Sequence, residues 1–348
     1  ERTNTTGCGD AFGRRGMPGS KIWHLLSERL RQCRGIMEEE WSKTMIIGID
    51  LGGTNLRIGA VTSDGQLQAS AVTGSQAIAG ARDPAGELCG IIADYVEKNR
   101  IQDIEAISIG VPSSVEADKE TVICTTNIRN RAGEPVFCHM NLAEKIREHF
   151  HVPAFVNNDV KNILLHDIAA NHLEDQKIVA GIYIGTGVGA SIMIDGRLLE
   201  GKDGAELDLG HMPYFGGDAS CSCGKKGCCE CYASGWRLRK IQEEFYPDTA
   251  IGELFTRHRE EAPMKEFIRA CAHVYAVVAT IFNPDTIVVG GGVPEMADFP
   301  REVFEREVNA CTGRDVMTYG FDYVYSQKYA GKGVIGAALF ARMQMESA

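Results

Sequence analysis

One histidine and several cysteines lie close together along the chain, with the spacing of a metal site. His211 is followed by "CSCGKKGCCEC", residues 221–231, which holds five of the twelve cysteines. Three thiolates and one imidazole are a common ligand set for tetrahedral Zn²⁺, and four protein ligands close the coordination sphere. We predict a structural zinc ion with these ligands: His211, Cys221, Cys223 and Cys228. Cys229 and Cys231 are alternative ligands, and Cys228 is preferred because it follows a Lys-Lys-Gly turn.

A carboxylate after two asparagines could do acid–base chemistry. The stretch "NND", residues 157–159, ends an apolar strand pattern and precedes a helical one at about 159–171. Asp159 is a candidate general base for a hydroxyl group, with Asn157 and Asn158 bonding the hydroxyls of a polyol. The alternative is structural, because Asp is also a good helix N-cap.

A glycine-rich turn near the start of the pattern, "DLGGTN" at 50–55, is typical of a phosphate-binding loop. Glycine lets the backbone approach a phosphate and present N–H groups to it. Asp50, just before the turn, could orient Mg²⁺ through water, since Mg²⁺ keeps several waters when bound to protein. The alternative is an ordinary hairpin turn.

Two further glycine-rich stretches resemble the first. "GTGVG" at 185–189 lacks the lysine of a P-loop, so its phosphate donors would be the N–H groups of Thr186, Gly187 and Gly189. "GGG" at 290–292 follows a hydrophobic strand, and a ligand often binds at such a strand end. A surface without side chains at Gly291 and Gly292 would suit adenine or ribose. Either stretch could instead be a plain turn.

The elements that must position these groups form a pattern that occurs twice. Residues 45–72 read as three strands joined by two turns, and the helix over roughly 83–99 has Asp83 as its N-cap. Residues 178–199 again read as strands around a glycine-rich turn, and Gly48 aligns with Gly181. Further helices are predicted at about 234–245 and 263–282, and an apolar helix ends the chain. This order indicates an α/β protein with two lobes and a cleft between them.

Composition and net charge exclude some classes of protein. The 348 residues are 44% hydrophobic and 24% charged, as in a packed globular protein, and no apolar run reaches the roughly 18 residues of a membrane span. The net charge of −11 argues against nucleic-acid binding as the main activity. We expect a cytoplasmic protein, because no signal-peptide pattern is seen, and cysteines that bind metal or stay free.

Residues 1–44 differ from the rest and are predicted to lie outside the fold. They contain "NTTGCGDAF", which resembles the anion-hole motif of ribokinase-like (PfkB) kinases, and an amphipathic stretch that suggests a helix over 21–34. In that family the motif lies near the end of a long α/β domain, but here it stands close to residue 1. We therefore expect the chemistry to reside elsewhere.

Taken together, "GIDLGGTN", "NND", "GTGVG", "LGHM", "CSCGKKGCCE" and "GGGV" occur in the order seen in the ROK family of bacterial sugar kinases and repressors. The resemblance runs from about residue 45 to the C-terminus and implies two actin-like (ribonuclease H-like) lobes with the active site between them. It implies a first lobe of residues 45–158, completed by a C-terminal helix at 333–348. The second lobe would span 159–332 and carry the zinc loop, 211–231.

The resemblance also implies an activity and residue roles. ATP, with Mg²⁺, would phosphorylate a sugar hydroxyl, usually at C6 of a hexose, with Asp159 as the catalytic base. Asn158, His211 and Glu230 match sugar-contacting positions, and His211 would serve both zinc and sugar through its two ring nitrogens. Phosphate-binding positions are matched by Asp50, Gly53, Thr54 and the turn from Gly185 to Gly189. The partners would be a sugar and ATP, in a homodimer, with no nucleic acid or membrane.

Two departures from the family pattern lie near the sugar. The family usually has Glu three residues before the zinc-binding histidine; this chain has Asp208, and Glu206 could share its role. Where the family often has Gly after Pro112, Ser113 and Ser114 stand here. "GGGVPEMADFPRE" looks most like the allose kinase branch, so allose is the favoured substrate. The alternatives are glucokinase, N-acetylmannosamine kinase and fructokinase, a ROK-type transcriptional repressor, and a non-catalytic sugar sensor.

Overall fold

The computed structural model describes residues 44–125 and 127–347. The predicted extension, apart from Thr44, and the predicted helix at 21–34 lie outside the described residues. Among the described residues, no helix is both long and apolar enough to cross a membrane.

The first half of the fold is built on a five-stranded sheet with the order β3-β2-β1-β4-β7. Its strands are β1 (Met45–Leu51), β2 (Asn55–Val61), β3 (Leu67–Gly74), β4 (Ile104–Val111) and β7 (Ala154–Asn158). All but the edge strand β3 carry buried aliphatic side chains. The first three are antiparallel, as the two short turns predict, whereas β4 and β7 run parallel to β1. A separate hairpin pairs β5 (Thr121–Cys124) with β6 (Cys138–Asn141).

Helices cover this sheet: α1 (Gln76–Gly80), α2 (Pro84–Lys98) and α3 (Leu142–Phe150). The predicted cap of α2 is confirmed, because the Asp83 carboxylate accepts the N–H of Gly86 at 3.1 Å. Leu88 and Ile92 from the predicted apolar face are buried in the core of this half. Tyr95 continues that face, and its hydroxyl donates to the carbonyl of Ala69 in β3 at 2.8 Å.

A second five-stranded sheet repeats the order of the first, as β10-β9-β8-β11-β12. Its strands are β8 (Ile178–Ile184), β9 (Val188–Ile194), β10 (Arg197–Leu198), β11 (Thr286–Gly290) and β12 (Asp322–Tyr325). Here too three strands are antiparallel, and the last two run parallel to the central one. The aligned glycines Gly48 and Gly181 both lie in the central strand of their sheet, which confirms the internal repeat.

The helices of the second half are α4 (Asp159–Ala170), α5 (Gly235–Phe245), α6 (Leu254–His258), α7 (Ala262–Phe282), α8 (Arg301–Cys311) and α9 (Arg314–Tyr319). The long helix α7 contributes eleven buried residues, because α8 and the second sheet cover it on two sides. Tyr275 in α7 donates its buried hydroxyl to the carbonyl of Ile182 in β8 at 2.8 Å. The predicted helices at 234–245 and 263–282 are therefore confirmed to within one residue.

The C-terminal helix α10 (Lys332–Ser347) packs against both sheets. Val334 joins a cluster with residues of β1 and β4, whereas Phe340 joins a cluster with residues of α4 and β8. Helix α10 crosses α4 so closely that a Cβ on Gly336 would overlap the carbonyl oxygen of Asn162. In the same way, a Cβ on Gly48 of β1 would overlap the carbonyl oxygen of Val334 in the first turn of α10. Small residues at these positions are therefore required for the two halves to meet.

Replacing Gly336 with alanine is expected to lower the free energy of unfolding by about 3 kcal/mol, because the new methyl group must push α10 away from the backbone of α4. The matched control is Gly90→Ala in α2, where an added Cβ would have nothing within 4 Å. There alanine should stabilise the helix by about 0.5–1 kcal/mol. Urea denaturation measures both. Equal stabilities of the two variants would contradict the close crossing.

Candidate active site and metal centre

In each sheet, predicted catalytic or phosphate-binding groups lie at the carboxyl ends of the central strands. Asp50 in β1 lies opposite Gly110 of the parallel strand β4, and Gly110 in turn lies opposite Asn157 of β7. The second glycine-rich turn follows β8, whose end Tyr183 pairs with Gly290 of β11. In each sheet, adjacent parallel strands thus deliver their polar ends to one edge, as open α/β sheets do at ligand sites.

Asn158 is the N-cap of α4. Its Oδ1 accepts the N–H groups of Val160 at 3.0 Å and Lys161 at 3.3 Å, and its Nδ2 donates to the carbonyl of Ser113 at 3.2 Å. The alternative interpretation of Asp159 as the cap is therefore wrong, and Asp159 is the first residue of the helix instead. One N–H of the Asn158 amide remains for a ligand.

Asn157 does not reach a ligand site, contrary to expectation. Its side chain is buried, and its Nδ2 donates to Oδ1 of Asn162 at 2.8 Å inside α4. Strand alternation explains the difference, because neighbouring side chains in β7 point to opposite faces of the sheet. Asn157 therefore holds the strand to the helix.

The pKa of the Asp159 carboxyl group is unusually high for an aspartate. Burial, reinforced by the negative charge of Asp50, raises the pKa of Asp159 to about 7, while the N–H of Val160 opposes the shift. Burial also raises the pKa of Asp50, although Arg57 lowers it through a contact of 3.5 Å. Two neighbouring carboxyl groups with one cation beside them favour a proton or a divalent cation at this point.

The start of α10 reaches the same place. A Cβ on Gly333 would lie 2.6 Å from Cγ of Asp50, so only glycine lets the first turn of the helix come this close. The positive end of the helix dipole therefore lies beside the Asp50 carboxylate. Arg57 could have been found from the sequence, since the hairpin register places it directly opposite Asp50.

The four predicted zinc ligands lie together: His211, Cys221, Cys223 and Cys228 offer one ligand atom each, all within 4.8 Å of one another. Nδ1 of His211 is 3.6 Å from Sγ of Cys221, and Sγ of Cys223 is 3.6 Å from Sγ of Cys228. Tetrahedral zinc with ordinary bond lengths would separate two sulfurs by about 3.8 Å, and a sulfur and a nitrogen by about 3.6 Å. The donor set therefore fits a tetrahedral zinc ion.

A tight turn brings the cysteines together. The N–H of Cys221 donates to the carbonyl of Lys225 at 2.9 Å, and Gly224 takes a left-handed conformation with φ of 87°. The N–H of Lys225 lowers the pKa of the Cys223 thiol, whereas burial raises the pKa of Cys228 to about 12. A bound cation would offset that cost, because metal binding favours the thiolate.

The two spare cysteines have other surroundings. Cys229 lies in the hydrophobic core of the second half, and burial raises its pKa to about 11. Cys231 donates to the carbonyl of Ser220 at 3.6 Å. The structure therefore favours Cys228 over both as the fourth ligand.

Glu230 connects the metal centre to the second glycine-rich turn. Its Oε1 is 3.2 Å from Sγ of Cys221 and 3.7 Å from Nδ1 of His211, and a Cβ on Gly187 would lie 2.9 Å from its Oε2. Because Nδ1 of His211 faces the thiols, the opposite ring nitrogen, Nε2, is left for a second partner. This arrangement agrees with the dual role expected of His211.

The two candidate carboxylates before His211 have different environments. The side chain of Glu206 is buried, with an ion pair to Lys161 of α4, and accepts the N–H of Gly201 at 2.8 Å. Asp208 is exposed and makes no capping bond to the 3₁₀ turn that follows it. Glu206 is thus committed to packing the loop on α4, which leaves Asp208 as the carboxylate accessible to a ligand.

The first and third glycine turns are held open by specific contacts. Ser75, which the sequence did not indicate, donates from Oγ to the carbonyl of Gly52 at 2.6 Å and leaves Gly53 and Thr54 exposed. Gly291 has φ of 92°, and a Cβ on it would lie 2.6 Å from the backbone of Ile184. Only glycine can occupy that position, and Gly292 beside it is exposed.

The second glycine-rich turn, predicted at 185–189, is shorter than expected. Gly189 lies inside β9 opposite Tyr183 and packs against Val160, so it is not part of the turn. The N–H of Gly185 is engaged with the carbonyl of Gly187 at 3.0 Å. The exposed tip is Thr186, and its carbonyl accepts the N–H of Trp236 in α5 at 3.2 Å.

Two curated sugar kinases resemble the chain over most of its length. The chain is 25% identical to a glucokinase of Thermotoga maritima over 317 residues, which are 85% of this chain and 96% of that protein. It is 27% identical to an N-acetyl-D-glucosamine kinase of Vibrio cholerae over 267 residues, 72% of this chain and 84% of that protein. These relatives confirm the predicted enzyme class, a sugar kinase.

A solved structure confirms the predicted fold class. The glucokinase of Streptomyces griseus, determined with glucose and AMPPNP, superimposes with a TM-score of 0.69 at 23% identity and covers 86% of this chain and 99% of its own. The sequence pattern that defines the ROK family matches residues 46–344. The chain therefore belongs to the ROK family.

Proposed function

We propose that this ROK protein transfers the terminal phosphoryl group of ATP to the C6 hydroxyl of a hexose. The observation that carries the proposal is Asp159, a carboxyl group at the start of α4 with a pKa of about 7, close enough to Asp50 to feel its charge. A base with a pKa near the working pH is effective, because it is largely deprotonated and still accepts a proton readily.

The chain's own groups suffice to position both substrates. Gly53 and Thr54, the tip at Thr186 and Gly187, and the surface at Gly291 and Gly292 present backbone to the phosphates and the nucleoside of ATP. Asp50 is placed to orient the Mg²⁺ that accompanies ATP and neutralises phosphate charge. Phosphoryl transfer then depends mainly on holding the two oxygens in line.

The sugar would be bound by four side chains: Asn158, Asp208, His211 and Glu230. Asn158 offers its free N–H, His211 its Nε2, and Glu230 and Asp208 their carboxylate oxygens. As the C6 hydroxyl attacks the phosphoryl group, its proton passes to the carboxylate of Asp159. Closing the cleft would exclude water, which otherwise competes as the acceptor.

We propose that the His211–Cys₃ cluster binds a structural zinc ion. Four protein ligands leave no open position for catalysis, so the ion would brace the loop that carries Glu230 and His211. The metal would act on the reaction only through these side chains.

Allose is our first choice of substrate. Asp208 is one methylene shorter than the family's usual glutamate, and Ser113, whose carbonyl holds Asn158, stands where glycine is frequent. Both changes point away from a glucokinase, and the stretch "GGGVPEMADFPRE" resembles the allose kinase branch. Glucose, N-acetylglucosamine and N-acetylmannosamine are the next candidates, followed by fructose.

The lobe boundaries, a homodimer and a cytoplasmic location stay predictions. A repressor or a non-catalytic sensor would not need the base at Asp159.

Asp159→Asn is expected to lower kcat by about 10²-fold or more while sugar binding, measured by calorimetry, changes little. Asp94→Asn on the exposed face of α2 is the matched control and should keep wild-type kcat. In the wild type, kcat/KM should fall as the pH drops below about 7, because protonated Asp159 cannot accept the proton. If kcat/KM does not change between about pH 5 and pH 9, Asp159 is not the base. An Asp159→Asn variant with wild-type kcat would exclude it as well.

Metal analysis should find one zinc per chain, and Cys223→Ser should lose it and lower Tm by about 5 °C or more. Cys223 is exposed, so the substitution itself removes little packing. Cys311→Ser, at another exposed cysteine, is the control and should keep both zinc and Tm. Stoichiometric zinc in the Cys223→Ser variant would move the ligand set to Cys229 or Cys231.

With ATP, kcat/KM for allose should exceed that for glucose, because each mismatched hydroxyl leaves a buried polar group unpaired and costs roughly 10- to 100-fold. Asp208→Glu restores the longer carboxylate and should shift the ratio towards glucose. Steady-state kinetics on allose, glucose, both N-acetylhexosamines and fructose measure this. A tenfold preference for glucose would overturn the allose assignment and leave the kinase proposal intact.

A further inference from the structure

Two cysteines outside the metal centre face each other across the hairpin of β5 and β6. Cys124 and Cys138 are directly opposite in the register, and their sulfur atoms are 3.1 Å apart. Both are free thiols, with Cys138 exposed and Cys124 half-buried. The pair therefore combines close contact with access from solvent.

The hydrogen-bond pattern of the hairpin favours a covalent bond at this pair. The next residues, Thr125 and Phe137, are joined by the N–H of Thr125 and the carbonyl of Phe137 at 2.9 Å. Pairs alternate in an antiparallel ladder, so the two cysteines form a non-hydrogen-bonded pair, with Cα atoms about 4.5 Å apart. That separation lies within the range of about 4.4–6.8 Å that disulfides span.

The pair is linked to the proposed sugar site through two hydrogen bonds. Because the N–H of Cys124 points away from β6, it donates to Oγ of Ser113 at 3.0 Å. The carbonyl of Ser113 accepts from Nδ2 of Asn158 at 3.2 Å, and Asn158 caps the helix that begins with Asp159. Two hydrogen bonds therefore connect Cys124 to a residue that would touch the sugar.

We propose that Cys124 and Cys138 form a redox-modification site, a reversible disulfide that weakens sugar binding when it forms. The second half of this proposal rests on the proposed function. The oxidant is a small disulfide such as glutathione disulfide. In a reducing compartment, such disulfides are typically transient and act as redox sensors.

The exchange balances in two steps. The Cys138 thiolate attacks one sulfur of glutathione disulfide, which forms a mixed disulfide and releases one glutathione thiolate. The Cys124 thiolate then attacks the Cys138 sulfur and releases the second. The two protein thiols lose two electrons, glutathione disulfide gains them, and the two S–H protons end on the glutathione thiols.

The disulfide requires the sulfurs to approach from 3.1 Å to about 2.05 Å, which draws Cys124 towards β6. This movement pulls its N–H away from Ser113 and so disturbs the partner of Asn158. Asp159 is bonded to the backbone of α4 and is not part of this chain of contacts. The expected result is a rise in KM for the hexose of about threefold or more, with kcat changed less than about twofold.

The experiment incubates the zinc-loaded full chain in glutathione buffers of increasing oxidised fraction, blocks free thiols and maps disulfides by mass spectrometry. We expect a bond between Cys124 and Cys138, reversed by dithiothreitol, that appears together with the rise in KM. Cys138→Ser should show neither effect. Cys311→Ser, the matched control, should behave like the wild type, and an unchanged zinc content shows that the metal centre was not oxidised.

Two results would overturn the proposal. Cys124 and Cys138 that both remain alkylatable in the oxidised buffer would exclude the disulfide, and a mapped disulfide with unchanged hexose KM would exclude its effect on the sugar site. If the reduced protein phosphorylates none of the hexoses, the proposed function fails, whereas the disulfide map still decides whether the redox site exists.

Discussion

The close crossing of α4 and α10 is the constraint on which the rest of the structure depends. The helices touch backbone to backbone at Gly336 and Asn162, and each begins at a carboxyl group of the candidate site. Asp159 is the first residue of α4, and Gly333 in the first turn of α10 lies against Asp50. Packing of the two helices therefore sets the distance between two carboxyl groups at the same edge of the first sheet. These are Asp50, near the end of β1, and Asp159, which directly follows β7.

The electrostatics of the site follow from that placement. The carboxyl groups of Asp50 and Asp159 lie in a region with little access to water. Of the two, Arg57 contacts Asp50. The resulting pKa of about 7 for Asp159 is a consequence of burial and like charge, and not of a specific partner. A divalent cation brought with ATP would relieve the repulsion, so binding of the nucleotide and ionisation of the base would favour each other.

The metal loop contributes in another way. Glu230 contacts both His211 and Cys221, and it lies against Gly187 of the second turn, so the same loop reaches the proposed sugar and phosphate sites. A rigid loop keeps such side chains in one arrangement and lowers the entropy lost on binding. The hairpin with Cys124 and Cys138 is connected to the proposed sugar site by hydrogen bonds through Ser113 and Asn158.

The sequence by itself determined the local elements and the ligand set. Asp83 as a cap, the strand–turn–strand repeats and the four candidate metal ligands depend on short-range spacing, which the folded chain preserves. Only the structure showed that Glu206 pairs with Lys161 while Asp208 is exposed, and that Asn158 is the helix cap. It also showed that Asn157 is bonded to Asn162 and that Gly189 lies inside β9. The first of these outcomes depends on a contact between segments distant in sequence, Glu206 with Lys161. The amide partner of Asn157, the N–H groups capped by Asn158 and the strand partner of Gly189 instead lie within about six residues along the chain. Spacing along a chain specifies which way a side chain can point within its own strand or helix, but not which distant group will meet it there.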